Sequence, residues 1–331
     1  MRRHLLLMAA TATAAVVSIA GCGSAGSSGT AAPPSSAAGA GCAPVAGDGL
    51  VALTDDKNLQ ATDNVIPAIN KKKSSPQLIA ALDKVSAALD TPKLIALNKA
   101  VDVDRKSSKQ AATDFVTANN ITAGITKGPG GNITVGAANF SESATLGELY
   151  AQALTAAGYK VKVQTIGNRE LYEPALEKGQ IDIVPEYAAT LATFLQGKYD
   201  KSGKAPASSD LNTTVTNLKA LGDKAGLVFG QASQAQDENA FAVTTAFADK
   251  YGVKTLSDLA SKCSGAATSL GGPAECPQRP ECQQGLVSTY NFNAGSFQSL
   301  DAGGPLTKTA LKTGKLSVGV VFSSDSALAA G

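Results

Sequence analysis

The chain has one histidine, His4, and it lies in a leader-like segment. With that segment removed, Ser–His and Cys–His nucleophilic catalysis and the common His-based metal sites have no histidine to use. Two short clusters carry most of the remaining chemistry: Asn139-Phe-Ser-Glu142 and Pro185-Glu-Tyr-Ala-Ala-Thr190. Both are polar, short in side chain and marked by an aromatic, which suits a small-molecule cleft. Carboxylate-pair or lysine catalysis stays formally open, but no spacing points to it. We therefore expect a binding protein, not an enzyme, with no cofactor and no metal.

The elements around these clusters explain their placement. Period-2 apolar runs over 133–137 and 161–165 alternate with helical periodicity, the βαβα pattern of a parallel sheet. Leu146, Leu149, Tyr150, Ala153 and Ala157 share one helical face, and Gly158 follows as a stop. Both clusters then fall where a strand ends and a helix begins, the usual ligand position of an open α/β sheet.

On these residues the chain resembles the substrate-binding lipoproteins of ABC importers for osmoprotectants, the glycine betaine, choline and carnitine group. The resemblance rests on Asn139-Phe-Ser-Glu142, Leu146-Gly-Glu-Leu-Tyr-Ala-Gln-Ala-Leu154 and Gly179-Gln-Ile-Asp-Ile-Val-Pro-Glu-Tyr-Ala-Ala-Thr190. It continues with interruptions over most of the chain after residue 48. It implies a bilobed α/β fold of the type II periplasmic-binding-protein kind, two lobes joined by extended crossovers. It also implies a quaternary ammonium solute bound between the lobes and delivered to a permease served by a cytoplasmic ATPase. The resemblance places cage aromatics at Tyr187, Phe241 and Phe322, with Asp63 at the fourth position. It places a carboxylate-gripping arginine at Arg279 and hydrogen-bond donors at Thr190 and Asn139. Asp63, in place of an aromatic, would favour a ligand with a free cation. The rival classes are a receptor of the same fold for another polar solute and a ligand-free scaffold or signalling lipoprotein.

The order of segments departs from that family. A stretch containing Asp55-Asp56-Lys57 and three helical patterns, at about 76–89, from Thr91 as N-cap with Pro92 at N1, and at about 108–118, normally comes last and here comes first. The economical reading is a circular permutation; the rival is a helical domain fused to a truncated binding protein. The expected division is a leader over 1–21, a tether over 22–48, lobe I over 49–130 and 131–238, and lobe II over 239–331.

The chain begins with a basic Met-Arg-Arg-His and an apolar run, then Ile19-Ala-Gly-Cys22, a lipobox-like sequence that marks Cys22 for lipidation. The Gly, Ala, Ser, Thr and Pro that dominate 23–41 bury little and read as a flexible tether. The expected location is thus extracytoplasmic, lipid-anchored to the outer face of the cell membrane. Without residues 1–21, 27 basic residues meet 27 acidic ones. That balance argues against nucleic acid and against electrostatic membrane binding. No internal run approaches the ~20 apolar residues of a membrane span. The basic triplet at 71–73 reads as a solvated loop. Four further cysteines in an exported chain allow three disulfide pairings. Cys276 and Cys282 are close enough for a local bridge, which leaves Cys42 with Cys263. A four-sulfur metal site is the alternative, but no Cys-x-x-Cys pair supports it.

Overall fold

The computed structural model describes residues 39–202 and 205–328. The leader, Cys22 and most of the tether lie outside the described residues. Strand β1 (Leu50–Ala52) comes first, then β2 (Val65–Asn70) and helices α1 (Pro76–Ala88), α2 (Thr91–Asp102) and α3 (Ser108–Ala118). A β/α series follows: β3 (Asn132–Ala138), α4 (Ser141–Ala156), β4 (Lys160–Gly167), α5 (Arg169–Glu177), β5 (Ile183–Tyr187) and α6 (Ala188–Tyr199). Next come α7 (Leu211–Ala225) and β6 (Leu227–Phe229). The chain continues through β7 (Asn239–Thr244), α8 (Thr245–Tyr251), α9 (Leu256–Cys263) and β8 (Gly265–Gly272). It ends with α10 (Gln283–Tyr290), β9 (Ala294–Ser299), α11 (Pro305–Lys312) and β10 (Val318–Phe322).

These strands form two five-stranded sheets, one per lobe. Lobe I has the order β4-β3-β5-β2-β6, lobe II the order β1-β7-β10-β8-β9. In lobe I, β3 runs parallel to β4 and β5, while β2 lies antiparallel to β5 and β6. In lobe II, β8 runs parallel to β9 and β10, and β7 lies antiparallel to β10 and β1. Each sheet therefore holds one strand that runs against its neighbours.

Local chemistry accounts for the helices of the early segment. Ser75 caps α1 by accepting from the Leu78 amide, with Pro76 at the first turn where no amide is needed. Asp90, not Thr91, caps α2, since its carboxylate accepts from the Lys93 amide. The Thr91 hydroxyl accepts from Gln236 instead. Leu78, Leu82, Leu94, Leu97 and Val116 from these helices enter one core with Leu146, Leu149 and Tyr150 of α4. At about 1.5–3 kcal/mol per fully buried apolar side chain, that contact holds α1–α3 on lobe I. The opposite face of the sheet is covered by α5, α6 and α7, through Tyr172, Leu176, Leu191, Leu195, Leu218 and Leu221. The basic triplet is an exposed 3-10 turn, Lys71–Lys73, with Lys71 paired to Asp223 and Lys73 to Asp182.

Two expected boundaries move. Residues 49–52 were expected in lobe I, but β1 is the edge strand of the lobe II sheet, with Leu50 opposite Thr244. The tether is expected to stay flexible through residue 48, but residues 40–47 are held against lobe II. Ala40 bridges Gly265, Cys42 is bonded to Cys263, and the Gly47 amide donates to Lys312. Backbone pairing and a covalent link outweigh the low hydrophobicity of that stretch. The second disulfide joins Cys276 to Cys282, so both bridges are the expected ones.

Two crossover segments, about 53–64 and 230–238, connect the lobes side by side. The Asp237 amide donates to the Asp63 carbonyl at 3.0 Å, the Val65 amide to Ala235 at 3.0 Å, and Asn64 bridges Gln236 antiparallel. Paired extended strands of this kind form a hinge able to absorb rotation of one lobe against the other.

Candidate ligand cleft between the lobes

The cleft begins at the carboxyl ends of β3 and β5. At the first, Asn139 and Phe140 leave the strand and α4 starts at Ser141; at the second, Tyr187 leads straight into α6. Lobe II contributes Phe322 from the end of β10, Asn239 from the start of β7, and the loop that carries Pro273, Glu275 and Arg279. The free space there is about 60 Å³, well under the ~300–1,000 Å³ of drug-sized sites.

Three aromatic rings line one side. Phe140 stacks on Tyr187 with centroids 6.4 Å apart and 27° between planes, and packs on Phe322 at 5.2 Å and 38°. Phe322 is backed by the 301–305 loop. There a Cβ added at Gly303, whose φ is +68°, would sit 3.1 Å from the Val321 Cα and 3.2 Å from the Phe322 ring. Only glycine lets this loop close behind the ring.

Buried carboxyls stand beside the rings: Asp63 and Asp237 line the cleft, and Glu142 lies behind Tyr187. Glu142 accepts from the Tyr187 hydroxyl, the Asn98 amide and, at 2.7 Å, the Ser324 hydroxyl. Asp237 accepts from the Ser324 amide at 2.9 Å. Asp63 accepts from the Ala189 amide at 2.7 Å, from the Thr190 amide and from the Thr190 hydroxyl. Burial raises the pKa of all three. Asp63 is pushed up to about 7 by desolvation, against hydrogen bonds from Thr190 and the charge of Arg169. Asp237 is raised by burial and then by the negative charge of Glu142. Glu142 is raised by burial against its three donors.

Both arginines of the cleft are taken by carboxylates of the chain. Arg169 clasps Glu186 through Nε at 2.9 Å and Nη2 at 2.8 Å, with the Tyr172 hydroxyl donating to the same carboxylate at 2.9 Å. Arg279 reaches across the lobes to Glu170, with Nη2 at 3.0 and 3.1 Å and Nε at 3.3 Å, and also meets Glu275 at 3.3 Å. Asp63, Glu142 and Asp237 have no cationic partner in the ion pairs of the described residues. Carboxyl groups thus outnumber guanidiniums, and one that ionises does so in surroundings of low dielectric, where its field reaches into the cleft.

The site expected from the sequence is partly assembled. Tyr187, Thr190, Asn139, Phe322, Arg279 and Asp63 all line the cleft. Phe241 does not. Residues 239, 241 and their partners 322, 320 form successive cross-strand pairs on one sheet face, and Phe241 lies one pair deeper, 1 % exposed in the lobe II core. Asp63 is no free replacement for an aromatic, because its carboxylate caps α6 from another part of the chain. Thr190 donates to Asp63, so its hydroxyl proton is engaged. The residues missed are Phe140, Asn168, Arg169, Tyr172, Asp237 and Glu275. Phe140 was within reach, since it is the aromatic of the Asn139-Phe-Ser-Glu142 cluster. Asp237 and Glu275 left no local signal.

Two α/β lobes around a hinge and an aromatic, carboxyl-lined cleft define a protein of the type II periplasmic-binding-protein fold. The chain belongs to the OpuAC family, described as the substrate binding domain of ABC-type glycine betaine transport system, with residues 44–118 and 131–330 matched. This is a family of transport substrate-binding domains, not of enzymes. The chain is 28% identical over 189 residues to the glycine-betaine-binding protein of Pseudomonas aeruginosa, covering 54% of this chain and 58% of the relative. It is 27% identical over 183 residues to the glycine betaine-binding protein YehZ of Escherichia coli, with the same coverage. The chain thus spans a little over half the length of these relatives. Among solved structures, NikA from Brucella suis in complex with Fe(III)-EDTA is similar at a TM-score of 0.26 and 14% identity, over 56% of this chain and 47% of that one. The periplasmic murein tripeptide binding protein MppA in its unliganded open form follows at 0.22 and 11%, over 56% and 44%. Scores this low carry no weight for ligand or fold.

Proposed function

We propose that the chain is the solute receptor of an ABC importer and binds a quaternary ammonium solute, glycine betaine, choline or a relative, between its lobes. The observation that carries this reading is the Phe140–Tyr187–Phe322 surface in a cleft that also holds Asp63 and Asp237, carboxyls without a cationic partner among the described residues. A quaternary ammonium has no N–H to donate, so aromatic faces and a negative field are what recognise it. Tyr187, Phe140 and Phe322 contact the ammonium; Thr190, Asn139 and Asn168 serve the remaining polar atoms; Asp63, Glu142 and Asp237 supply the field. The receptor works by closing its lobes on the solute and presenting the closed form to a permease with a cytoplasmic ATPase. Ligand chemistry of this kind involves no catalysis.

The same reading places the protein outside the cytoplasm, held by a lipid on Cys22 above a short tether. No helix among the described residues is long and apolar enough to cross a membrane. Mass spectrometry of the mature amino terminus tests the anchor: an unmodified cysteine there would end it. The split match at 44–118 and 131–330, with Leu50 bridged to Leu328, supports a circularly permuted arrangement over a fused helical domain.

Isothermal titration of the purified chain with choline and glycine betaine tests the function. Saturable binding of at least one, together with a rise in Tm at excess ligand, is the expected outcome. If neither ligand binds, the quaternary ammonium assignment fails.

A further inference from the structure

The two carboxylates around Arg279 go further than the family reading on which this inference rests. Arg279 sits in the loop closed by Cys276–Cys282 on lobe II, at the mouth of the cleft. Its guanidinium is met by Glu170 of lobe I through three contacts of 3.0–3.3 Å, and by Glu275 at 3.3 Å. An arginine fork holds one carboxylate in bidentate fashion well. Here the chain itself fills that place. Arg279 lowers the pKa of Glu170 despite partial burial, so the carboxylate stays charged. A ligand carboxylate arriving at Arg279 therefore meets two negative groups already bound to it. Beside them, Asn168 donates to Glu275 at 3.2 Å while its own buried Oδ1 has no donor. The opposite amide orientation would set oxygen against oxygen, so the orphan is an acceptor. What it lacks is a donor such as a hydroxyl group.

The geometry points to Glu170 and Glu275 as specificity residues: they occupy the Arg279 fork and turn the cleft from carboxylated zwitterions toward a net-cationic quaternary ammonium alcohol of the choline class. Its ammonium lies on the aromatic rings, and its hydroxyl donates toward Asn168. Like charges at the mouth reject the zwitterion, a gain in selectivity by repulsion.

Calorimetry on the whole chain with choline chloride and with glycine betaine decides this. The unmodified protein is expected to bind choline at least about ten-fold more tightly than betaine, ~1.4 kcal/mol. In a Glu170→Gln, Glu275→Gln double variant, betaine affinity rises by about ten-fold and the ratio narrows or inverts, a gain that a merely structural disturbance does not produce. Glu170→Gln alone, at a 39 % exposed side chain, repeats the test where the double variant unfolds, with a rise of the same sign. Betaine binding as tight as choline in the unmodified protein overturns the inference and leaves the receptor reading intact. So does an unchanged ratio in the folded variants. Failure of both ligands to bind the unmodified protein overturns the quaternary ammonium assignment and this inference together.

Discussion

At the scale of single residues, the cleft divides its work between rings and carboxyls. Tyr187 has both roles, since its ring stacks on Phe140 while its hydroxyl donates to Glu142. Tyr187→Ala removes ~1–2 kcal/mol of cation–π contact and leaves Glu142 short of a donor, so choline affinity should fall about ten-fold or more. Phe140→Ala should cost a similar amount without touching the carboxyl network, and calorimetry on both variants separates the two roles. The raised carboxyls make binding pH-dependent. In the unliganded protein Asp63 holds its proton up to about pH 7, against 3.8 for a free side chain. Its contribution to stability is therefore full below pH ~4 and is lost as pH rises toward 7. A bound cation favours the ionised form, so affinity should rise between pH 5 and 8 with release of a proton. Glu142 and Asp237 act in the same direction. Titration in buffers of different ionisation enthalpy measures the proton count, and a flat profile would rule out a charge-based site.

At the scale of elements, two polar links set the cleft walls. Asp63 joins a crossover segment to the first turn of α6, satisfying amides that no residue of α6 itself reaches. Arg169 joins the start of α5 to the end of β5 through Glu186, with both side chains almost wholly buried. Arg169→Ala would leave a buried carboxylate unpaired, and breaking such a pair costs roughly 3–5 kcal/mol. Denaturant unfolding should show that loss directly. A fall of under about 1 kcal/mol would mean that water or Tyr172 compensates, and that the pair does not hold the wall.

At the scale of the whole molecule, the order of segments and their places in space disagree. The helices α1–α3 precede the β/α series in the chain yet share its core, while β1, separated from them by β2, belongs to the other lobe. Leu50 and Leu328 bridge one another, so residues from the early and the late part of the chain meet on lobe II. A relinked variant that starts at residue 131, runs to 328 and continues through a Gly-Ser joint into 39–130, so that Ile121 keeps its place in the lobe I core, should fold and bind. Its Tm should lie within about 5 °C of the parent, because only loop-closure entropy changes. A chain that aggregates or melts far earlier would show that the present link at 130–131 is itself a structural part.

Local pattern was enough for much of this protein. The alternation of period-2 and helical runs made the lobe I sheet legible, Gly158 marked its helix stop, and the strand-to-helix steps at 139–142 and 185–190 marked the cleft. Capping chemistry was legible to within one residue at α2, where Asp90 and Thr91 are both good caps and only geometry chose between them. Other features depend on partners far away in the chain. Phe241 and Phe322 carry the same side chain, and only the depth of each cross-strand pair decides that one packs in the core and the other faces ligand. Asp63 reads as a ligand group until the fold puts the amides of α6 against it, 126 residues on. Arg279 reads as a free carboxylate grip until lobe I brings Glu170 to it. A side chain's type is local, but whether its charge or ring is left free for a ligand depends on what the folded chain sets beside it.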